Sequence, residues 1–179
     1  MAASAWIWAR TLVPGLPLVR KGLTCGAYAR DMASKRESGP DPDEITSWIT
    51  TTYPGTVVAT AMGATFFSLD EKHWPNFATI VTTDEHDMGN PSDLARPGVY
   101  RLNIGVRKAT FERLVGSTVE PDYAALDTLL PHPVYAGQRW LAILNPRRQT
   151  FDETVKPLIA EAHERLARPR RRPAAMDGR

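Results

Sequence analysis

Residues 99–106 (VYRLNIGV) alternate between apolar and other side chains more strictly than any other stretch of this 179-residue chain. The alternation predicts a β-strand on which Tyr100, Leu102 and Ile104 share one face, while Arg101 and Asn103 point to the other. We expect helices to cover the apolar face and the Arg101 face to form an exposed surface of the sheet.

Four further strands are predicted around this one, at residues 56–61, 65–69, 77–82 and 139–144. The turn at Met62-Gly63 joins the first two as a hairpin. Short connections among the first four strands imply antiparallel pairing. The run at residues 139–144 is apolar on both faces, which predicts an interior position in the sheet.

Helices are predicted before, between and after these strands. Asp41 and Thr150 each begin a capping-box pattern, with Glu44 and Glu153 three residues later. Further helices are expected at residues 108–115 and in a patch containing Tyr123, Leu126 and Leu130. In the last helix, Pro157 predicts either a kink or a second start.

The sequence therefore predicts an α+β fold with a single domain over residues 41–168, a five-stranded mainly antiparallel sheet and helices packed on one face. Residues 1–40 are interpreted as an extension that is disordered or an artefact of start-site choice, with Met32 as the preferred start. A transit peptide is the alternative, because residues 1–30 contain basic but no acidic side chains. Residues 169–179 are predicted to be a basic disordered tail.

Charge is distributed unevenly along the chain. Residues 1–40 have a net charge of +4, residues 41–160 of −5 and residues 161–179 of +3. An acidic domain body disfavours nucleic-acid binding except through the tails. No apolar run is long enough to span a membrane, and a single cysteine, Cys25, favours a reducing compartment, so we expect a cytoplasmic protein. No cofactor is predicted.

Few residues are candidates for chemistry, because the chain has no phosphate-binding glycine loop, nucleophile elbow or His-Glu-x-x-His pair. Asp84, His86 and Asp87 are weak candidates for metal ligands within an acidic loop. Trp74 is expected at the core or its edge.

The strongest candidate is a ligand site on the Arg101 face of the sheet. His132 lies between two prolines that fix its backbone, either to present the ring to a ligand or to anchor the loop. We expect a pocket for a small anionic ligand, because a cationic fork, an amide, an imidazole and a phenol would meet there beside an apolar wall. The predicted residues are Arg101, Asn103, His132, Tyr135 and Trp140.

Several blocks occur in an order that resembles the actinobacterial family catalogued as domain of unknown function 6194. They are residues 77–84 (FATIVTTD), 96–106 (RPGVYRLNIGV), 130–135 (LPHPVY), and 144–146 (LNP) followed by 150–151 (TF). The resemblance implies a soluble bacterial protein and no assigned activity. Residues 101–115 and 140–166 each form a predicted strand-then-helix unit, which gives a looser similarity to YjbR-like (MmcQ) proteins and implies a small α+β fold.

Three functions are compatible with these observations. The first is a small binding or accessory domain without catalysis, for a small anionic ligand. The second is a nucleic-acid binder that uses the basic tails. The third is an enzyme of unassigned type centred on His132.

Overall fold

The computed structural model describes residues 38–85, 89, 91–115 and 121–168. Six strands and three helices lie within these residues. The strands are β1 (Val57–Ala61), β2 (Ala64–Ser68), β3 (Asn76–Val81), β4 (Arg101–Gly105), β5 (Leu130–Pro131) and β6 (Trp140–Leu144). The helices are α1 (Pro42–Thr52), α2 (Lys108–Val115) and α3, which joins Arg148–Thr150, a π-helical turn at Phe151–Val155 and Lys156–Ala167.

The strands form one antiparallel sheet in the order β1-β2-β3-β4-β6-β5. The predicted α+β fold and antiparallel pairing are therefore confirmed. The strand at β6 is interior, as predicted, because it pairs with β4 on one side and with β5 on the other.

The predicted helical patch with Tyr123, Leu126 and Leu130 is wrong, and its end forms the sixth strand instead. Asp127 has φ 53°, which a right-handed helix does not accommodate. Leu126 forms an isolated bridge with Leu144, and Leu130 pairs with Ala142 of β6. The backbone here therefore gains its hydrogen bonds from the sheet edge, and the sheet has six strands where five are predicted.

The two predicted capping boxes have different outcomes. Asp41 caps α1, since its side chain accepts a hydrogen bond from the backbone N–H of Glu44 at 2.7 Å. The carboxylate of Glu44 pairs with Arg148, which ties α1 to the start of α3. Thr150 is not a cap, because its backbone is already helical. The π-helical turn ends at Val155, two residues before Pro157, whose missing N–H and bulky ring disfavour regular α-helical bonding to the preceding turn.

The core lies between the sheet and the helices. Leu102 and Ile104 of β4 are fully buried there, and α3 packs across β3 and β4. The helices contribute fully or largely buried apolar side chains to the same cluster: Ile45, Ile49, Phe151, Val155, Leu158, Ile159 and Ala162. The predicted covering of the apolar face by helices is confirmed.

His163 of α3 lies in an aromatic environment at the margin of this core. Its ring stacks on Tyr53 at 4.4 Å between centroids and meets Phe77 edge-on at 5.4 Å. Burial lowers the pKa of the His163 imidazole, because removing the ring from water disfavours its charged form.

The segments at residues 1–37 and 169–179, with the predicted start at Met32 and the predicted tail, lie outside the described residues. Within the described part of the chain, no helix is long and apolar enough to cross a membrane.

The environment of His163 predicts a pH-dependent loss of stability. The unfolded chain binds a proton near pH 6.5 whereas the folded chain binds it only at lower pH, so the free energy of unfolding falls as the pH drops below about 6.5. Thermal melts of the wild type and of His163→Phe between pH 8 and pH 4.5 measure this effect. As the pH falls through that window, the Tm of the wild type is expected to fall more than the Tm of His163→Phe. If the two Tm values fall in parallel, His163 is not the group responsible.

Candidate functional site

The sheet face opposite the helices, which we call the cavity face, carries Arg101, Asn103 and Gly105 of β4. Directly paired residues of antiparallel strands point the same way. Thr79 and Trp140 therefore share this face, because they pair with Asn103 and Gly105. A cavity of about 360 Å³ lies on it. All five sequence-predicted residues line this cavity: Arg101, Asn103, His132, Tyr135 and Trp140.

Small side chains leave room for the cavity. Ala61 pairs with Ala64, and Ala64 pairs with Val81, so the row that leads across the cavity face to Arg101 begins with three short apolar groups. At Gly105 an added Cβ would lie 2.8 Å from Nη2 of Arg165 and 3.2 Å from the indole ring of Trp140. The indole therefore rests close against the β4 backbone, and a larger residue at position 105 would displace it.

A chain of hydrogen-bonded polar groups forms part of the cavity lining. Arg101 donates through Nε to Asn103 Oδ1 at 3.0 Å and through Nη1 to Ser92 Oγ at 2.7 Å. Asn103 in turn donates through Nδ2 to Thr79 Oγ1 at 2.9 Å. A buried guanidinium requires such partners, because an uncompensated charge away from water is costly.

The expectation that the Arg101 face is an exposed surface is wrong. Arg101 and Asn103 are each 2% exposed. The connection between β3 and β4 covers this end of the cavity face, since Ser92 within it is fully buried against Arg101. Alternation along a strand indicates the face to which each side chain points. It does not indicate how deeply the side chain is buried, because burial depends on which connections cover that face.

Of the three weak candidates for metal ligands, the structure describes only Asp84. His86 and Asp87 lie outside the described part of the chain. The carboxylate of Asp84 accepts hydrogen bonds from the backbone N–H groups of Leu94 at 3.0 Å and Ala95 at 2.9 Å, and so anchors the β3–β4 connection. Among the described residues, no group of three or more His, Cys, Asp or Glu side chains could hold a metal ion.

His132 caps the turn that follows it. Its Nδ1 accepts hydrogen bonds from the backbone N–H groups of Val134 and Tyr135, each at 3.1 Å, and its carbonyl accepts one from Ala136 at 3.1 Å. An Nδ1 that accepts must be unprotonated, so the neutral ring carries its proton on Nε2. Of the two interpretations of this histidine, the geometry favours loop anchoring, and the residue, which is 4% exposed, lies in the lining of the cavity.

Four large apolar side chains that line the cavity are also exposed. They are Met62 (71%), Trp74 (70%), Tyr135 (47%) and Val134 (41%). The prediction that Trp74 belongs to the core or its edge is therefore wrong. Exposed apolar groups that cluster around one cavity are typical of a contact surface for a ligand or partner.

Sequence reasoning did not assign most of the lining to the site, and the missed residues include Trp74, Asn76 and Thr79. Thr79 could have been found from the register of β3 and β4, because it pairs directly with Asn103. Asn76 gave no signal, since it follows an irregular connection and stands where a register shift between Phe67 and Ser68 alters the pairing.

Two substitutions separate the anchoring contact of His132 from its other ring nitrogen. His132→Asn places an oxygen near the position of Nδ1 and keeps the cap, whereas His132→Gln keeps a polar group near Nε2 and loses the cap. We expect Gln to lower the free energy of unfolding by about 1–3 kcal/mol, because two backbone N–H groups lose their acceptor, and Asn to lower it by less than about 1 kcal/mol.

Urea unfolding of the three proteins measures the difference, and ¹⁵N NMR of the wild-type ring tests for an unprotonated Nδ1. A larger loss in the Asn variant than in the Gln variant would contradict the capping assignment.

Comparison with known proteins gives a family and no function. Neither a curated protein nor a solved structure matches this chain. The model of a family of unknown function (DUF6194) matches residues 40–175, which include every strand and helix described above. The chain belongs to the DUF6194 family.

Proposed function

We propose that this domain binds a small ligand in the cavity on the cavity face, and that the ligand has an apolar, preferably aromatic, body and an anionic head such as a carboxylate. One observation carries the proposal. The sheet face that helices leave uncovered forms a concave, largely apolar cavity whose lining includes the buried pair Arg101 and Asn103, hydrogen-bonded to Thr79. An apolar enclosure with a few placed polar groups is typical of small-molecule sites.

The anionic head is argued from the charges of the lining. Among the described residues, the lining includes Arg101 and no Asp or Glu. Because Arg101 is 2% exposed, its charge acts in a medium less polarisable than water, where electrostatic interactions are stronger. A carboxylate would join the existing network of Arg101, Asn103 and Thr79 through charge-assisted hydrogen bonds.

The apolar body is argued from the rings and the volume. Phe66, Trp74, Tyr135 and Trp140 line the cavity, and their faces favour contact with a planar group. The cavity of about 360 Å³ lies at the lower end of the range of about 300–1,000 Å³ that is typical of ligand pockets, which suits a small ligand.

The other hypotheses remain predictions. Nucleic-acid binding by the basic tails concerns residues outside the described part of the chain, and a YjbR-like relationship, an actinobacterial source and a cytoplasmic location are expectations from sequence. Catalysis centred on His132 would have to use a ring whose Nδ1 is already engaged as a cap. Binding without catalysis is therefore the function that we propose.

A matched pair of probes tests the anionic head without altering the protein. 3-Phenylpropionate and its neutral amide have nearly the same shape, and we expect the acid to bind about tenfold more tightly, because only the acid forms charge-assisted hydrogen bonds. Isothermal titration calorimetry or NMR titration gives both dissociation constants. Equal affinities, or binding of neither probe, would refute the proposal as stated.

Filling the cavity tests its location. Ala64 lines the cavity, so Ala64→Leu would place extra carbon atoms where the ligand is proposed to lie. We expect affinity for 3-phenylpropionate to fall at least about tenfold. The matched control is Ala109→Leu on the exposed side of α2, which leaves the cavity unchanged. Undiminished binding by a folded Ala64→Leu protein would place the site elsewhere.

A further inference from the structure

Strand β1 lies at one edge of the sheet and lacks the features that usually protect such an edge. Among the described strands, the order ends with β1 on one side and β5 on the other. β5 is only two residues long and contains Pro131, which cannot donate a ladder hydrogen bond. β1 is five residues long, with no proline, no charged side chain and no register shift against β2. An edge of this kind is a template for a further strand.

The backbone of β1 directs hydrogen-bonding groups away from the sheet at two positions. The turn at 62–63 has two residues, both with positive φ, which makes Ala61 and Ala64 a pair that exchanges both ladder bonds. Such pairs alternate along an antiparallel ladder, so the N–H and C=O groups of Val58 and Thr60 point outward. Both residues are exposed, Val58 by 36%. The edge therefore presents two evenly spaced donor and acceptor sets to solvent.

The surface around this edge is depleted of charge. Residues 45–69 contain no Asp, Glu, Lys, Arg or His, although Asp, Glu, Lys and Arg make up 23% of the whole chain. Exposed residues of this uncharged run include Val58, Thr60, Ala61 and Met62. Depletion of charged side chains is typical of the centre of a protein–protein interface. Two copies of this edge can also meet without placing like charges opposite each other.

We propose that two copies of this chain associate through β1, which pairs antiparallel with β1 of the second copy about a two-fold axis at Ala59. Val58 and Thr60 are symmetric about Ala59, so Val58 of each copy lies opposite Thr60 of the other. Each of these pairs then exchanges both of its N–H···O=C bonds. The paired side chains are β-branched, which favours packing on a pleated surface. A two-fold axis gives the closed dimer that is commonest among soluble oligomers.

This pairing extends the sheet and brings the second copy to the margin of the cavity. An antiparallel partner continues the same sheet, so each copy contributes its six strands and both cavities lie on one face. Ala61 lines the cavity, and the register places Val57 of the second copy opposite it. The second copy therefore adds an apolar side chain beside the cavity. Ligand binding in the cavity and association through β1 can be tested separately.

Sedimentation velocity of the full chain over a range of concentrations tests the association. The wild type is expected to form a reversible dimer of twice 19.9 kDa. Thr60→Pro removes an outward N–H but no bond to β2, and we expect it to raise the dissociation constant at least about tenfold. Thr60→Lys, an exposed charge at the same edge, is the second variant. The matched control is Thr128→Lys, which is exposed near the opposite edge and is expected to leave the dimer unchanged.

Disulfide formation tests the register. In a Cys25→Ser background, Ala59→Cys places the two thiols on facing residues whose Cα atoms are about 4.5 Å apart, which a disulfide can bridge. Ala61→Cys is the matched control, because its two thiols would lie about 13 Å apart along the strands. We expect mild oxidation to link the Ala59→Cys protein at least about tenfold faster than the Ala61→Cys protein.

A wild-type dimer that Thr60→Pro weakens, together with preferential linkage at position 59, supports the proposal. A monomer at every concentration overturns it. A dimer that both Thr60 variants leave intact, or linkage at position 61 as fast as at position 59, also overturns it, because the contact would then lie elsewhere or have another register.

Discussion

Burial of β4 on both of its faces is the constraint on which the rest of the structure depends. All five residues of the strand are buried. On the helix side this requires only apolar partners, which α1 and α3 provide. On the other side it requires that Arg101 and Asn103 find hydrogen bonds away from water, because an unsatisfied buried charge or amide would cost several kcal/mol. Among the described residues, these partners include Thr79 on the neighbouring strand and Ser92 in the β3–β4 connection.

Covering of the cavity face by connections, rather than by a second layer of helices, explains why a cavity forms there. A helix would fill the space above Ala64 and Gly105 with its own side chains. Instead, the β3–β4 connection contacts Arg101 at one end of the cavity through Ser92. The turn that His132 caps lies at the other end. Small residues on the strands between these points leave a volume that neither connection fills.

Local patterns in the sequence were sufficient for five of the six strands and for the direction of the side chains on β4. The alternation at residues 99–106 assigns Arg101 and Asn103 to one face, and strand pairing then brings them to the same cavity as Trp140. The burial of Arg101 and Asn103 could not be predicted, because it depends on the β3–β4 connection, whose sequence has no periodic pattern. The helical patch near Leu126 failed for a related reason. Apolar spacing suggested a helix, but the backbone of Asp127 adopts a positive φ and the segment is held by the sheet edge.

The polar groups around the cavity fall into two kinds, and the difference indicates which of them serve the fold. Arg101 holds Ser92, and His132 caps its own turn, so each has a structural contact in addition to its place in the lining. A ligand that contacts these groups would also stabilise the connections that they anchor, because binding to the folded state alone increases its stability. Asn76 differs, since the Oδ1 atom of its amide satisfies no part of the fold. The anchored groups can be explained by the architecture of the sheet, because the connections that cover the cavity face are held in place by Arg101 and His132.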